Sequence, residues 1–266
     1  MNIMKQTALF AVSFALLASA LHAAEPAIKT VGYDNVHIRV SDPEKAAEWY
    51  VKTLGATPSP PPAPGTGQVL FGNVVVTIVR TPQVQPSAGS VIDHIGLSYP
   101  DIEAKIKDFE ANGAKVLSPP RDSPGIFKYA YIEDPWGVKI EIVDDSERRG
   151  FHHVHLRVRD PQATLAWYEE NFGGERAKLR DRVDGLRYSG VWLLAASSGA
   201  DTPAPSSDRA IQNIALRVDD VDAAMSALKA RGVKSVVEPR SLGTLRYGFV
   251  EDPNGVRVEL ISRAPN

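Results

Sequence analysis

Apolar and polar residues alternate through short runs of this chain, and each run hands over to a stretch with helical spacing. In "HVHLRVRDPQATLAWYEENFGG", from His153, the residues Val154, Leu156 and Val158 form one apolar row that must pack beneath a helix. His153, His155 and Arg157 therefore share the opposite face, and His152 points the other way, towards the strand edge. Asp160 is a natural N-cap for the helix that follows, Pro161 suits its first turn, and Gly173 can end it. The same order occurs in "NVHIRVSDPEKAAEWYVKTLGA", from Asn35, where Asp42, Pro43 and Gly55 take those places. "KYAYIEDPWGVKIEIV", from Lys128, and "RYGFVEDPNGVRVELI", from Arg246, each set a turn between two alternating runs and predict hairpins.

These similarities are a duplication. Asn35 and His153 are 118 residues apart, and so are Asp134 and Asp252, and Glu141 and Glu259. An offset that stays constant over so long a span marks an internal repeat. Each half divides again, because "HIGLSYPDIEAKIKDFEANGAKV" from His94 and "NIALRVDDVDAAMSALKARGVKS" from Asn213 have the same strand, turn and helix order. The chain thus reads as four modules that begin near Tyr33, Asp93, Phe151 and Gln212, each a strand, a helix and about three strands. Two domains of two modules each are expected, over residues 31–145 and 150–263. The Pro-rich stretches at 57–67 and 197–208 are loops, either spacers or a lid over a site.

Composition narrows the picture. The 43% hydrophobic and 23% charged content is that of a globular protein, and the net charge of −2 gives no reason to expect a nucleic acid or an anionic membrane as partner. The apolar run from Ala8 to Leu21 follows Lys5 and precedes Ala23 and Ala24, small residues suited to signal-peptidase cleavage. It is too short and too rich in Ser and Ala for a good membrane span. Residues 1–24 are therefore expected to be a cleaved export signal and the mature protein to be periplasmic or secreted. The chain has no cysteine, which excludes disulfides, thiolate ligands and a cysteine nucleophile. Any metal ligands must be His, Asp or Glu.

The fourfold pattern, with its "H-x-x-L-R-V-x-D-P" openings and "E-D-P-x-G-v-x-x-E" hairpins, resembles the vicinal oxygen chelate superfamily over essentially the whole mature chain. That superfamily includes glyoxalase I, extradiol dioxygenases and bleomycin-resistance proteins. The resemblance implies an α+β fold in which four βαβββ modules form two open-barrel domains. It further implies a divalent metal held by residues of the first and last strands of paired modules. Those positions fall on Asn35, His94, His153 and Asn213, and on Thr77, Glu141, Leu194 and Glu259. Asn35, Asn213, Thr77 and Leu194 have departed from a ligand type.

Module pairing then decides the chemistry. If neighbours pair, His94 and Glu141 share a cavity with Asn35, and His153 and Glu259 share one with Asn213, each set one ligand short. If the modules cross, His94, Glu141 and His153 meet, while Asn35, Thr77, Asn213 and Glu259 form a cavity poorly suited to metal. Glu259 is then a reserve ligand or a relic of the repeat. The sequence leaves both pairings open. All five histidines beyond the leader, His37, His94, His152, His153 and His155, lie on module-opening strands.

Two imidazoles and a carboxylate suit one divalent ion, Fe, Mn, Zn or Ni, acting on a substrate that chelates through oxygens. His155 lies about 7 Å along the strand from His153, too far for a fourth ligand and suited to acid–base work. Arg157 could hold a substrate carboxylate or phosphate, and Tyr131 could line the cavity. The implied activity is that of a glyoxalase-like lyase or isomerase with an enolate-like intermediate. An extradiol Fe(II) dioxygenase and a metal-free binding or resistance protein are the alternatives. Export argues against glutathione adducts as substrates, because that thiol is mainly intracellular.

Overall fold

The computed structural model describes residues 25–263, and the expected signal segment 1–24 lies outside the described residues. Helices span Pro43–Leu54, Ile102–Ala111, Pro161–Phe172 and Val221–Ala230. The side chains of Asp42, Asp101, Asp160 and Asp220 each accept a hydrogen bond from the backbone N–H three residues on, which satisfies an otherwise unpaired donor of the first turn. Gly55 ends the first helix in the left-handed region at φ 69°.

The two "EDP" turns share one device. Asp134 Oδ1 accepts from the Trp136 and Val138 amides at 2.9 and 2.8 Å, and Asp252 Oδ1 accepts from Asn254 and Val256 at 2.8 and 2.7 Å. The carboxylate closes the turn and so holds the following strand, which carries Glu141 or Glu259, in register.

Sixteen strands form two open mixed sheets of eight, and the modules cross. In one sheet the opening strand Gly32–Val40 of module one runs antiparallel to Ile211–Arg217 of module four. In the other, Ile92–Ser98 of module two runs antiparallel to Gly150–Val158 of module three. Each opening strand also pairs in parallel with the last strand of its own module: Val74–Arg80, Lys139–Val143, Val191–Ser197 or Arg257–Arg263.

Modules one and two meet instead through helices and turns. Tyr50 Oη donates to buried Asp134 at 2.8 Å, Trp49 Nε1 donates to the Asn112 carbonyl at 2.7 Å, and the Trp49 ring meets Trp136 edge-on at 6.1 Å. Ile38, Val40, Val154, Leu156 and Val158 all lie in the buried core, as the alternation predicts. The apolar rows therefore face helices, and the polar rows of two modules from different halves of the chain face each other.

Candidate metal centre

One irregularity recurs at every module opening. Where two opening strands pair, each carries one residue with no opposite number: Asp34 and Gln212 in one sheet, Asp93 and His152 in the other. Such a bulge breaks strict alternation and re-aims the side chain of the extra residue. In three of the four cases that side chain bonds the next residue. His94 Nδ1 donates to Asp93 Oδ1 at 2.7 Å, Asn35 Nδ2 donates to Asp34 Oδ1 at 3.1 Å, and the Nδ1 atoms of His152 and His153 lie 2.8 Å apart.

This corrects the reading of His152 as an outward residue at the strand edge. It is fully buried, and its Nε2 lies 3.1 Å from Asp145 Oδ2. Asp145, which also pairs with Arg180, is held down at about 2: burial opposes its charge, but His152, the Glu147 amide and Arg180 outweigh it. An ionised carboxylate can only accept, so the Nε2–H of His152 donates to it, His152 Nδ1 accepts and His153 Nδ1 must donate. The lone pair of His153 is thereby left on Nε2. Asp93, itself anchored by Lys139 Nζ at 2.5 Å, does the same for His94.

The two Nε2 atoms converge on one oxygen. Glu141 Oε2 lies 3.2 Å from His94 Nε2 and 3.0 Å from His153 Nε2. The nitrogen of His153 lacks the alignment of a hydrogen bond, and neither ring nitrogen of His155 has a partner among the described residues. Donor atoms of His94, Glu141, His153 and His155 all lie within 4.8 Å of one another, the only such group among the described residues. The separation of about 7 Å expected for His155 follows one strand alone. Across the ladder His155 stands directly opposite His94, and their ring centroids are 4.7 Å apart.

Charge follows from this arrangement. Burial would raise Glu141, but the close approach of His153 and His94 holds its carboxylate well below the usual range. Burial would likewise lower His94, yet Asp93 and Glu141 raise it. His153 is pushed down to about 4 by burial and its histidine neighbours against the pull of Glu141, and burial holds His155 well below its ordinary value. Buried imidazole lone pairs around a carboxylate call for a cation between them, and this donor set fits a divalent ion.

The remaining sequence candidates divide. Tyr131 pairs opposite Glu141, packs edge-on against His94 at 5.3 Å and, with Tyr129, lines a cavity of about 140 Å³ beside Glu141, His153 and His155. Arg157 does not line that cavity: it sits one step further out, half-exposed, and pairs with Asp201 at 3.2 Å. Glu259 lies in the other sheet, where His37 Nε2 approaches it at 3.3 Å, and it joins no metal-binding group among the described residues. Gly96 stands opposite His153, and a Cβ there would lie 2.1 Å from the His153 ring. Its glycine is the sequence signal for a close approach within a strand.

The comparisons agree with this architecture. Residues 32–142 and 150–260 match the family described as Glyoxalase/Bleomycin resistance protein/Dioxygenase superfamily. The chain belongs to that superfamily. A relative from Mycobacterium bovis named "Putative glyoxylase CFP32" is 23% identical over 247 residues, covering 86% of this chain and 94% of its own. The lactoylglutathione lyase of Neisseria meningitidis is 30% identical over 122 residues, 42% of this chain and 88% of its own. Among solved structures of the superfamily's fold, glyoxalase I from Zea mays superposes with a TM-score of 0.69 at 20% identity, over 88% of this chain and 92% of that one.

The Asp145–His152 pair stands behind His153 and sets its tautomer. Asp145→Asn is therefore expected to weaken divalent-metal affinity by about 10–100-fold, read by competition with a chromophoric chelator.

Proposed function

We propose that the protein is an exported, glyoxalase-like metal-dependent lyase or isomerase, acting on a small substrate with two adjacent oxygens. The observation that carries this reading is the convergence of His94 and His153 Nε2 on Glu141 Oε2, with both Nδ1 atoms already tied. His94, Glu141 and His153 would hold one ion of Fe, Mn, Zn or Ni. Such an ion supplies Lewis-acid stabilisation of negative charge on a substrate oxygen.

The chain's own residues do the rest. His155 is neutral, without a hydrogen-bond partner among the described residues and on the cavity wall, so it can accept a proton from a carbon next to a carbonyl and return it to the neighbouring carbon. Tyr129 and Tyr131 line the same cavity and offer hydroxyls that can orient substrate oxygens, while Phe127, Leu179, Val183 and Leu194 exclude water. The cavity of about 140 Å³ favours a small substrate. The likeness to lactoylglutathione lyase supports the lyase assignment. A leader of the kind at residues 1–24 supports export.

The test is proton exchange. Metal-loaded protein is incubated in D₂O with small 2-hydroxy ketones and 2-oxoaldehyde hemithioacetals, and deuterium uptake beside the carbonyl is followed by NMR. Uptake is expected, slowed by about 10²–10⁴-fold in His155→Gln with metal still bound. Oxygen consumption on catechols without exchange would replace this reading with the dioxygenase. Neither activity, with any of the four metals, would overturn it in favour of a binding protein.

A further inference from the structure

The sheet of modules one and four encloses a second cavity, of about 300 Å³. Val75, Val79, Tyr247 and Phe249 wall it, and Pro62 of the Pro-rich loop borders it. The Tyr247 and Phe249 rings meet edge-on at 6.0 Å. At the polar end stand Asn35, His37 and Glu259. Asn35 and Glu259 are almost wholly buried, and Asn35 Oδ1 and Glu259 Oε2 have no hydrogen-bond partner among the described residues. Behind them both polar atoms of buried Asn213 are also unpaired among the described residues. Groups of this kind are costly to bury unless something bonds them.

The interior carries no net charge near neutrality. Burial, with Asp34 adding to it, pushes the Glu259 carboxyl up to about 8, while Arg263 and the two asparagines oppose this. Burial holds the His37 imidazole at about 4 against the pull of Asp34. Asp34 and Arg263 face the same region and satisfy each other at 2.9 Å. A bare ion or a charged ligand would lose its hydration here with no unpaired countercharge to replace it, because the Arg263 guanidinium that lines the cavity is already taken by Asp34.

We propose that this cavity is a second binding site, independent of metal, for an uncharged planar molecule carrying a primary carboxamide. A carboxamide sets N–H donors and one carbonyl acceptor in a single plane. Its N–H can donate to Asn35 Oδ1 while its carbonyl accepts from the Glu259 carboxyl, and an aromatic body lies against Tyr247 and Phe249. The site shares no residue with the His94–Glu141–His153 group, so it stands or falls apart from the proposed activity.

Benzamide, benzoate and benzylamine are the probes, titrated calorimetrically at pH 7 into the metal-loaded protein. Benzamide is expected to saturate and to bind at least about tenfold more tightly than either charged analogue. Its binding survives chelation and Glu141→Gln. It is lost in Thr77→Leu, which fills the cavity with the residue that position 194 carries in the other sheet. Should Thr77→Leu fail to fold, methyl NMR of the wild type locates the bound probe instead. Val75, Thr77 and Val79 signals shift with benzamide, and those of Val183 and Leu194 do not. No saturation, preference for a charged probe, or shifts confined to Val183 and Leu194 would each overturn the proposal.

Discussion

Glu141→Gln is expected to strip stoichiometric divalent metal from the protein, as are His94→Ala and His153→Ala, while Glu259→Ala should keep full metal content. Glutamine matches the shape of Glu141 but withdraws the one negative charge on which both Nε2 atoms converge. Loss of a direct ligand exceeds the 10–100-fold penalty of its supporting residues, so affinity should fall by more than about 100-fold. Metal per chain, measured by emission spectrometry after dialysis, reads this directly. Equal loss in Glu259→Ala would place the ion in the other sheet. The pH dependence has a defined sign. His153, down at about 4, and Glu141, well below its usual range, are already unprotonated at pH 6, whereas His94 is raised and must release its proton. Metal affinity therefore climbs with pH, by up to about tenfold per unit, until His94 is fully unprotonated.

Gly96→Ala has an effect of similar size although glycine offers no ligand. The added Cβ would lie 2.1 Å from Cε1 and 2.2 Å from Nδ1 of His153, a ring buried on all sides. His153 must swing away, which breaks both its contact with His152 and its approach to Glu141. Metal binding should fall by more than about 100-fold and the thermal midpoint should drop as well, because an overpacked interior costs about 1–3 kcal/mol. Retention of tight metal binding in a folded Gly96→Ala variant would show that His153 is not the ligand.

These two expectations come from different levels of the molecule. His94, Glu141 and His153 could be named as candidates once the repeat was aligned, because each occupies a ligand position of the resemblance, but the sequence left open whether they meet. In the sequence Gly96 is simply the residue two places after His94, on the same face of its strand. Its purpose depends on which strand lies beside it, and that strand begins some fifty residues further on, at Gly150. His152 was misread for a related reason: period-two alternation assumes an unbroken ladder, and the bulge that turns His152 towards His153 exists only where two opening strands meet. The sequence does carry a trace of it. Polar pairs at Asp34–Asn35, Asp93–His94, His152–His153 and Gln212–Asn213 interrupt the alternation at the same place in every module.

By itself the sequence determined the four modules, their helix caps and turns and the apolar rows of the core, and it named candidates for a metal site without placing His155 beside them. All of these rest on neighbours within a few positions, or on an offset that repeats along the chain. Only the tertiary structure decided that modules two and three share one sheet and modules one and four the other. That choice depends on packing between distant segments, such as Tyr50 on Asp134 and Trp49 on Trp136, which bring neighbouring modules together through helices and turns and leave their opening strands to pair elsewhere. From that crossing follow one cavity whose histidines surround a carboxylate, and a second whose buried carboxyl stands among asparagines.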